Sequence, residues 1–284
     1  MKVLMIGTTG EFASLAIPAF KRKGIRIKGL VRNEHSQGKA IKNGADETVT
    51  GDLEDPDSLL AALDGADAVF HLNPAFDENE SQLGRNMVRA AQNAGVKKFI
   101  FSSVYHPSLS LVNHAAKRPV EEALFESNLT FVILQPAMFM QTLAASWPAI
   151  TKTRTLALPY SQYAKMSYVD YRDVAEAAAL ALIGNDLDYG TFELCSGDCL
   201  DRFQLAEMIT SILHIPFQAQ DIPFETFSAT TKLPDGYLKE GMRAMFAHYD
   251  RYGFHGGNSF VLKSILGHHP RTMQNYITEL VSSS

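Results

Sequence analysis

KVLMIGTTGEFA, residues 2–13, is the stretch on which the reading of this chain turns. Its first five residues are mostly apolar and have strand character. Gly7, Gly10 and Ala13 then follow at the spacing G-x-x-G-x-x-A. A strand that runs into such a turn and on into a helix is the setting in which a dinucleotide pyrophosphate is held. Gly7 gives the tight turn, Gly10 lets backbone approach a phosphate, and the small Ala13 lets helix pack on strand. The N–H groups of Thr9, Gly10, Glu11 and Phe12 are then expected at the phosphates, where a helix begins. Glu11 fits awkwardly, because a carboxylate suits the helix dipole but repels an adjacent phosphate. Its side chain is expected to point outward.

Working outward, short β-rich runs alternate with helical periodicity. Strands are predicted at KVLMI, RIKGLV, ETVT, DAVFHL, KKFIFS and TFVILQ, and helices near 10–23, 36–43, 56–63, 78–94 and 112–127. This alternation is the signature of an α/β fold with a doubly wound parallel sheet. Past about residue 137 it loosens. VDYRDVAEAAALALI reads as a strong helix, TFELC as a returning strand, and the segment from about 201 as mostly helical. The expected organisation is a dinucleotide-binding Rossmann domain over 1–150, with 166–195 returning to it. A smaller lobe for substrate or partner takes 151–165 and 196–284.

The second strand ends in GLVRN, which sets the choice of dinucleotide. An acidic residue there takes the adenine ribose 2′-hydroxyl, whereas Arg32 stands where a 2′-phosphate would sit. The planar guanidinium fork suits phosphate, so NADP(H) is expected over NAD(H). The alternative is a surface arginine paired with Glu34.

Composition excludes several other classes. The 284 residues are 46% apolar and 20% charged, as in a globular chain, and the formal charge of −5 offers no basic footprint for nucleic acid. Cys195 and Cys199 are too few for a disulfide scaffold or a four-ligand zinc site, and are expected as reduced thiols. His255, His268 and His269 have no carboxylate cluster to complete a metal site. The N-terminal apolar run is too short for a signal-peptide core, and no run approaches the length of a membrane span. A cytoplasmic protein is expected.

Several dispersed segments resemble the NmrA-like group of atypical short-chain dehydrogenases, which includes quinone and dye reductases as well as redox-sensing regulators. GTTGEFA is similar to that group's glycine motif, LVRN to its second-strand end, and GDLEDPDSLLAALDGADAVFHL to its third-to-fourth-strand unit. AGVKKFIFSS, FVILQPAMFMQ, YVDYRDVAEAAALAL and the tail LKSILGHHPRTMQNYITEL extend the resemblance nearly end to end. It implies that Asp52, with Leu53, reaches the adenine and that the backbone at Asn73 and Pro74 passes the cofactor ribose. Ser102 and Ser103 after the fifth strand, and Pro136 after the sixth, join the cofactor-binding set. A plain turn is the alternative at Asn73–Pro74 and at the SSVYHP segment, where Tyr105 and His106 are further hydrogen-bond or proton donors.

One departure bears on chemistry. Ordinary short-chain dehydrogenases place a tyrosine four residues before a lysine, and here that position is Asn113, ahead of Lys117. Asparagine has no titratable proton, so it cannot act as a general acid. Alcohol oxidation is therefore not expected. Hydride transfer to an electron-poor acceptor remains, with Lys117 holding the nicotinamide ribose and Asn113 and Tyr105 completing the catalytic set. Phe139, Met140 and Tyr168 are the leading residues for an apolar acceptor pocket, with core packing as their alternative. Two functions follow: an NADPH-dependent oxidoreductase acting on a quinone-like small molecule, or a non-catalytic NADP-binding sensor that regulates a protein partner.

Overall fold

A computed structural model describes residues 1–282. Its strands are β1 (Lys2–Met5), β2 (Arg26–Val31), β3 (Glu47–Thr50), β4 (Ala68–Leu72), β5 (Lys98–Ser102), β6 (Thr130–Pro136), β7 (Met138–Phe139), β8 (Thr155–Leu158), β9 (Met166–Val169), β10 (Thr191–Leu194), β11 (Cys199–Leu200) and β12 (Gln218–Asp221). Seven of them form one sheet in the order β10-β6-β5-β4-β1-β2-β3. Pairing from β3 through to β6 is parallel, as the alternation of strands and helices demands. The winding reverses between β1 and β4, and in such sheets ligands bind at the carboxyl ends beside that reversal.

Period-2 alternation sorts the strand side chains. Leu4, Val69, Phe99, Phe101 and Ile133 face a core closed by Leu59, Met87, Val88, Val120 and Leu124, contributed by the helices Pro56–Ala62, Glu80–Asn93 and Arg118–Phe125. On the other face Phe70 meets Phe20 of the helix Ala16–Arg22 edge-on, with ring centroids 5.2 Å apart.

The chain divides into two compact units, the first formed by Met1–Pro136 with Tyr171–Glu193, the second by Ala137–Asp170 with the chain from Leu194 on. The first is smaller than the expected Rossmann domain of 1–150 plus 166–195. The reason is β7, which leaves the main sheet directly after β6 and pairs in parallel with β9, so 137–150 and 166–170 go with the second unit. That unit holds a three-stranded sheet, β11-β9-β7, a parallel β12-β8 pair and six helices among its described residues. Among the described residues, no helix is long and apolar enough to cross a membrane.

The predicted helix at 112–127 is in fact two, Val112–Ala115 and Arg118–Phe125. Pro119 has no N–H for the carbonyl of Ala115, so the first helix closes through Lys117 N–H to His114 O, at 3.0 Å. Proline is well placed in the first turn of the second helix. The predicted helix at 10–23 also starts late, with a 3-10 turn at Ala13–Leu15 before Ala16–Arg22. The glycine motif therefore lies in a turn ahead of the helix.

Candidate functional site

The glycine motif follows β1. Gly7 has φ +87°, and a Cβ there would stand 2.9 Å from the Cβ of Ala13, so turn and helix approach as closely as the sequence spacing implied. Gly10 donates its N–H to Gly7 O at 2.8 Å, and a Cβ on Gly10 would come within 3.2 Å of that same carbonyl. The N–H groups of Thr9 and Glu11 have no acceptor among the described residues, and Glu11 is exposed, its carboxylate outward as expected. Phe12 is half-buried and its ring lies 6.2 Å from that of Tyr171.

Three residues under this turn escaped the sequence reading. Thr8 is fully buried with its Oγ1 unpartnered, and a Cβ on Gly29 of β2 would stand 2.9 Å from that oxygen. The Thr8 carbonyl accepts Asn43 Nδ2 at 2.8 Å. Gly29 and Asn43 thus hold the turn from below. Only the G-x-x-G-x-x-A spacing was visible; a glycine inside a strand is the weak signal that could have found Gly29.

Arg32 immediately follows β2, exposed, with no hydrogen bond or ion pair among the described residues. The alternative partner, Glu34, is not engaged with it. The backbone here turns sharply, because Asn33 caps the helix Glu34–Lys42 by accepting Ser36 N–H at 3.0 Å. After β3, the exposed Asp52 accepts Glu54 N–H at 3.0 Å, while Leu53 packs against the core and its carbonyl accepts Asn86 Nδ2 at 2.8 Å. Arg32 and Asp52 are thus both exposed just past the carboxyl ends of the paired strands β2 and β3.

At the end of β4 a buried polar chain begins. Asn73, 5% exposed, donates Nδ2 to Glu80 O at 3.0 Å and accepts from the His71 imidazole. Because that oxygen can only accept, His71 carries its proton on Nε2. Burial drives the His71 pKa down to about 4, against a raising contribution from Asn73, so the ring is neutral. Pro74 is exposed, and Phe76 takes a left-handed backbone at φ 60° with its N–H on Glu80 Oε2 at 3.2 Å.

Lys117 ends this chain. Its ammonium pairs with Glu80 Oε1 and donates to Asn113 O at 3.2 Å, with Lys117 4% and Glu80 1% exposed. Burial pushes the Glu80 carboxyl above the ordinary glutamate range, and Lys117 pulls it part of the way back. An ammonium has three donors, and two of them are spent inside the protein on Glu80 and Asn113. Asn113 meets Lys117 through its main-chain carbonyl. Glu80 was absent from the sequence-derived set.

Beyond β5, Ser102 is fully buried and accepts Tyr171 OH at 3.2 Å. Ser103 donates Oγ to the buried Glu121 at 2.6 Å, which also accepts Gln135 Nε2 at 2.9 Å. Tyr105 is 1% exposed, its N–H on Pro136 O at 2.9 Å. These interactions make Ser103 and Tyr105 part of the scaffold that fixes the carboxyl ends of β5 and β6.

Phe139, Met140 and Tyr168, the residues expected at an acceptor pocket, lie in the second unit. Met140 is completely enclosed, with its N–H on Val169 O at 3.0 Å; Tyr168 is 5% exposed and Phe139 half-buried. Burial holds the Tyr168 phenol well above its ordinary range, so it stays protonated. Among the described residues, no group of three or more His, Cys, Asp or Glu side chains could hold a metal ion.

A strand-turn-helix glycine cradle beside an unpaired arginine, at the carboxyl edge of a parallel sheet wound from β1 outward, defines a dinucleotide-binding protein of the Rossmann type. The chain belongs to the NmrA-like family, whose model matches residues 1–277. It is 29% identical over 232 residues to the NAD(P)H azoreductase of Xenophilus azovorans, covering 78% of each chain. The structure of Citrobacter sp. triphenylmethane reductase complexed with NADP(H) superposes with a TM-score of 0.84 at 19% identity, over 98% of this chain and 99% of that one. The NADPH-dependent quinone oxidoreductase of Escherichia coli complexed with NADPH gives 0.83 at 22% identity, again over 98% and 99%.

Proposed function

We propose that the protein is an NADPH-dependent oxidoreductase that delivers hydride to an electron-poor, conjugated small molecule, with quinones as the first class to try. The observation that carries this is the glycine cradle at Gly7–Gly10 after β1 together with the unpaired Arg32 after β2, its parallel neighbour. Relatives named for azo, triphenylmethane and quinone reduction all act on acceptors of that electronic kind.

The residues fit the cofactor by their donor chemistry. Backbone N–H groups of Thr9 and Glu11 meet the pyrophosphate, Arg32 the 2′-phosphate, and Asp52 and Leu53 the adenosine. Asn73, Pro74 and the remaining Lys117 donor flank the ribose. Ser102, Ser103 and Pro136, all buried, fix the carboxyl ends of β5 and β6 on which the nicotinamide would rest. Bound reduced dinucleotide supplies the hydride; the protein supplies orientation and excludes water. Asn113 offers no proton, and a tyrosine general acid is not part of the design.

The test is NADPH oxidation on adding a simple quinone, run beside dinucleotide binding. Steady turnover supports the reading. Tight binding without turnover for any conjugated acceptor overturns it in favour of an NADP-responsive regulator of a protein partner.

A further inference from the structure

Six non-glycine residues have positive φ among the described residues. Arg154, His214 and Lys232 each end a helix, where a left-handed residue is an ordinary stop. Tyr189 turns the chain into β10. Phe76 and His106 remain, at φ 60° and 57°, in the segments after β4 and β5. Backbone held in such a conformation costs free energy and collects at functional sites.

His106 is held from several sides. Its carbonyl accepts His114 Nδ1 at 3.1 Å and Leu109 N–H at 3.1 Å, which pins the left-handed turn from the interior. The imidazole lies against the Tyr105 ring at a centroid distance of 3.7 Å, and its Nδ1 stands 3.6 Å from Glu193 Oε1. Its side chain is 33% exposed, so solvent reaches the ring. Ser103 is committed to Glu121, Tyr105 is 1% exposed and closed off from solvent, and Asn113 has no proton to give. Among the described residues from Ser103 to Lys117, His106 is the titratable side chain that solvent reaches.

We infer that His106 is the proton donor for acceptors that must gain a proton along with the hydride, a conclusion that rests on the oxidoreductase reading above. The chemistry balances. Hydride leaves reduced nicotinamide dinucleotide for the acceptor, and the electron pair displaced within the acceptor becomes an oxyanion in a quinone or a nitrogen anion in an azo compound. His106 N–H protonates that anion, and solvent returns a proton to the imidazole. Glu193 orients the ring and is a positioning residue.

The test exploits two acceptors of different proton demand. 1,4-Naphthoquinone needs hydride and a proton, whereas a triphenylmethane dye cation takes hydride at carbon and needs no proton. His106→Gln should slow naphthoquinone reduction by about 10²-fold while dye reduction keeps its rate. Glu193→Gln should lower the quinone rate in the same selective way. In a protein carrying labelled histidine and saturated with NADP+, naphthoquinone should shift the imidazole signal that His106→Gln removes. Equal loss with both acceptors, no loss with either, or an unmoved His106 signal overturns the proposal. If the unmodified protein binds NADPH but reduces neither acceptor, the oxidoreductase reading itself fails and His106 falls with it.

Discussion

Removing the Lys117 ammonium should destabilise the fold more than any surface change. Lys117→Met keeps the length of the stem and leaves the Glu80 carboxylate, 1% exposed, with the Phe76 N–H at 3.2 Å as its remaining side-chain bond. Breaking one partner out of a buried ion pair costs about 3–5 kcal/mol, against a total of about 5–15 kcal/mol for a domain. The double variant Lys117→Met with Glu80→Gln removes the orphaned charge and should recover most of that loss. The deficit should also depend on pH. Burial already raises the Glu80 carboxyl, and without Lys117 nothing charged opposes it. A raised folded-state pKa means the neutral form is the better tolerated, so this group's contribution is intact below its unfolded value and is lost as pH rises through the folded one. The variant should therefore lie nearer the unmodified protein at about pH 5 than at about pH 8. Urea denaturation of the unmodified protein, Lys117→Met, Glu80→Gln and the double variant at both pH values reads all of this. A loss under about 1 kcal/mol, or single losses that simply add in the double variant, would refute the buried-pair argument.

Arg32→Ala should cost about 1.5–3 kcal/mol of NADPH binding and leave NADH binding nearly unchanged, as isothermal titration would show; equal affinities in the unmodified protein would remove Arg32 from the site. Gly10→Val brings a branched side chain to the phosphate approach, with its Cβ 3.2 Å from Gly7 O, so dinucleotide binding should vanish while circular dichroism stays native. Asn113→Ala should slow quinone reduction by less than the roughly 10²-fold that losing a general acid costs; abolished turnover with intact cofactor affinity would make Asn113 a catalytic polariser. Burial depresses His71 and His114 to about 4. Depressed values mean that the stability they confer is present above the unfolded value near 6.5 and lost as pH falls toward 4, by about 2 kcal/mol each at about pH 5. Denaturation midpoints that hold steady over that range would contradict their buried neutral state.

The strands were legible because short β-rich, largely apolar runs alternating with helical periodicity show within single segments. RIKGLV and ETVT coincide with β2 and β3 residue for residue. The glycine spacing and Arg32 were legible for the same reason: cradle and cation each lie within a few residues of one strand end. The break at Pro119 was also written in the sequence, and reading 112–127 as one helix gave apolar spacing priority over the missing N–H opposite Ala115.

What stayed hidden depends on distance along the chain. Lys117 read as a ribose anchor because spacing relates it to Asn113, four residues away, while its strongest partner, Glu80, lies 37 residues off at the start of another helix. In ENESQLGRN, Glu80 looks like one more acid in a first helical turn, favourable to the dipole and solvated. Only the packing of the helices Glu80–Asn93 and Arg118–Phe125 closes the distance and removes the water. The same packing turns the lysine inward and joins it through Glu80 to Asn73 and His71. Lys117 thus approaches any ribose as the end of a fixed buried chain, with two donors already committed. A lysine on an exposed helix face would bring three donors and pay side-chain entropy to order them; this one is ordered before the ligand arrives. In the proposed role its worth to binding lies in that preorganisation, so Glu80→Gln, though remote in sequence from the glycine motif, should weaken NADPH binding in titration. Unchanged affinity in that variant would show that Lys117 serves the fold alone.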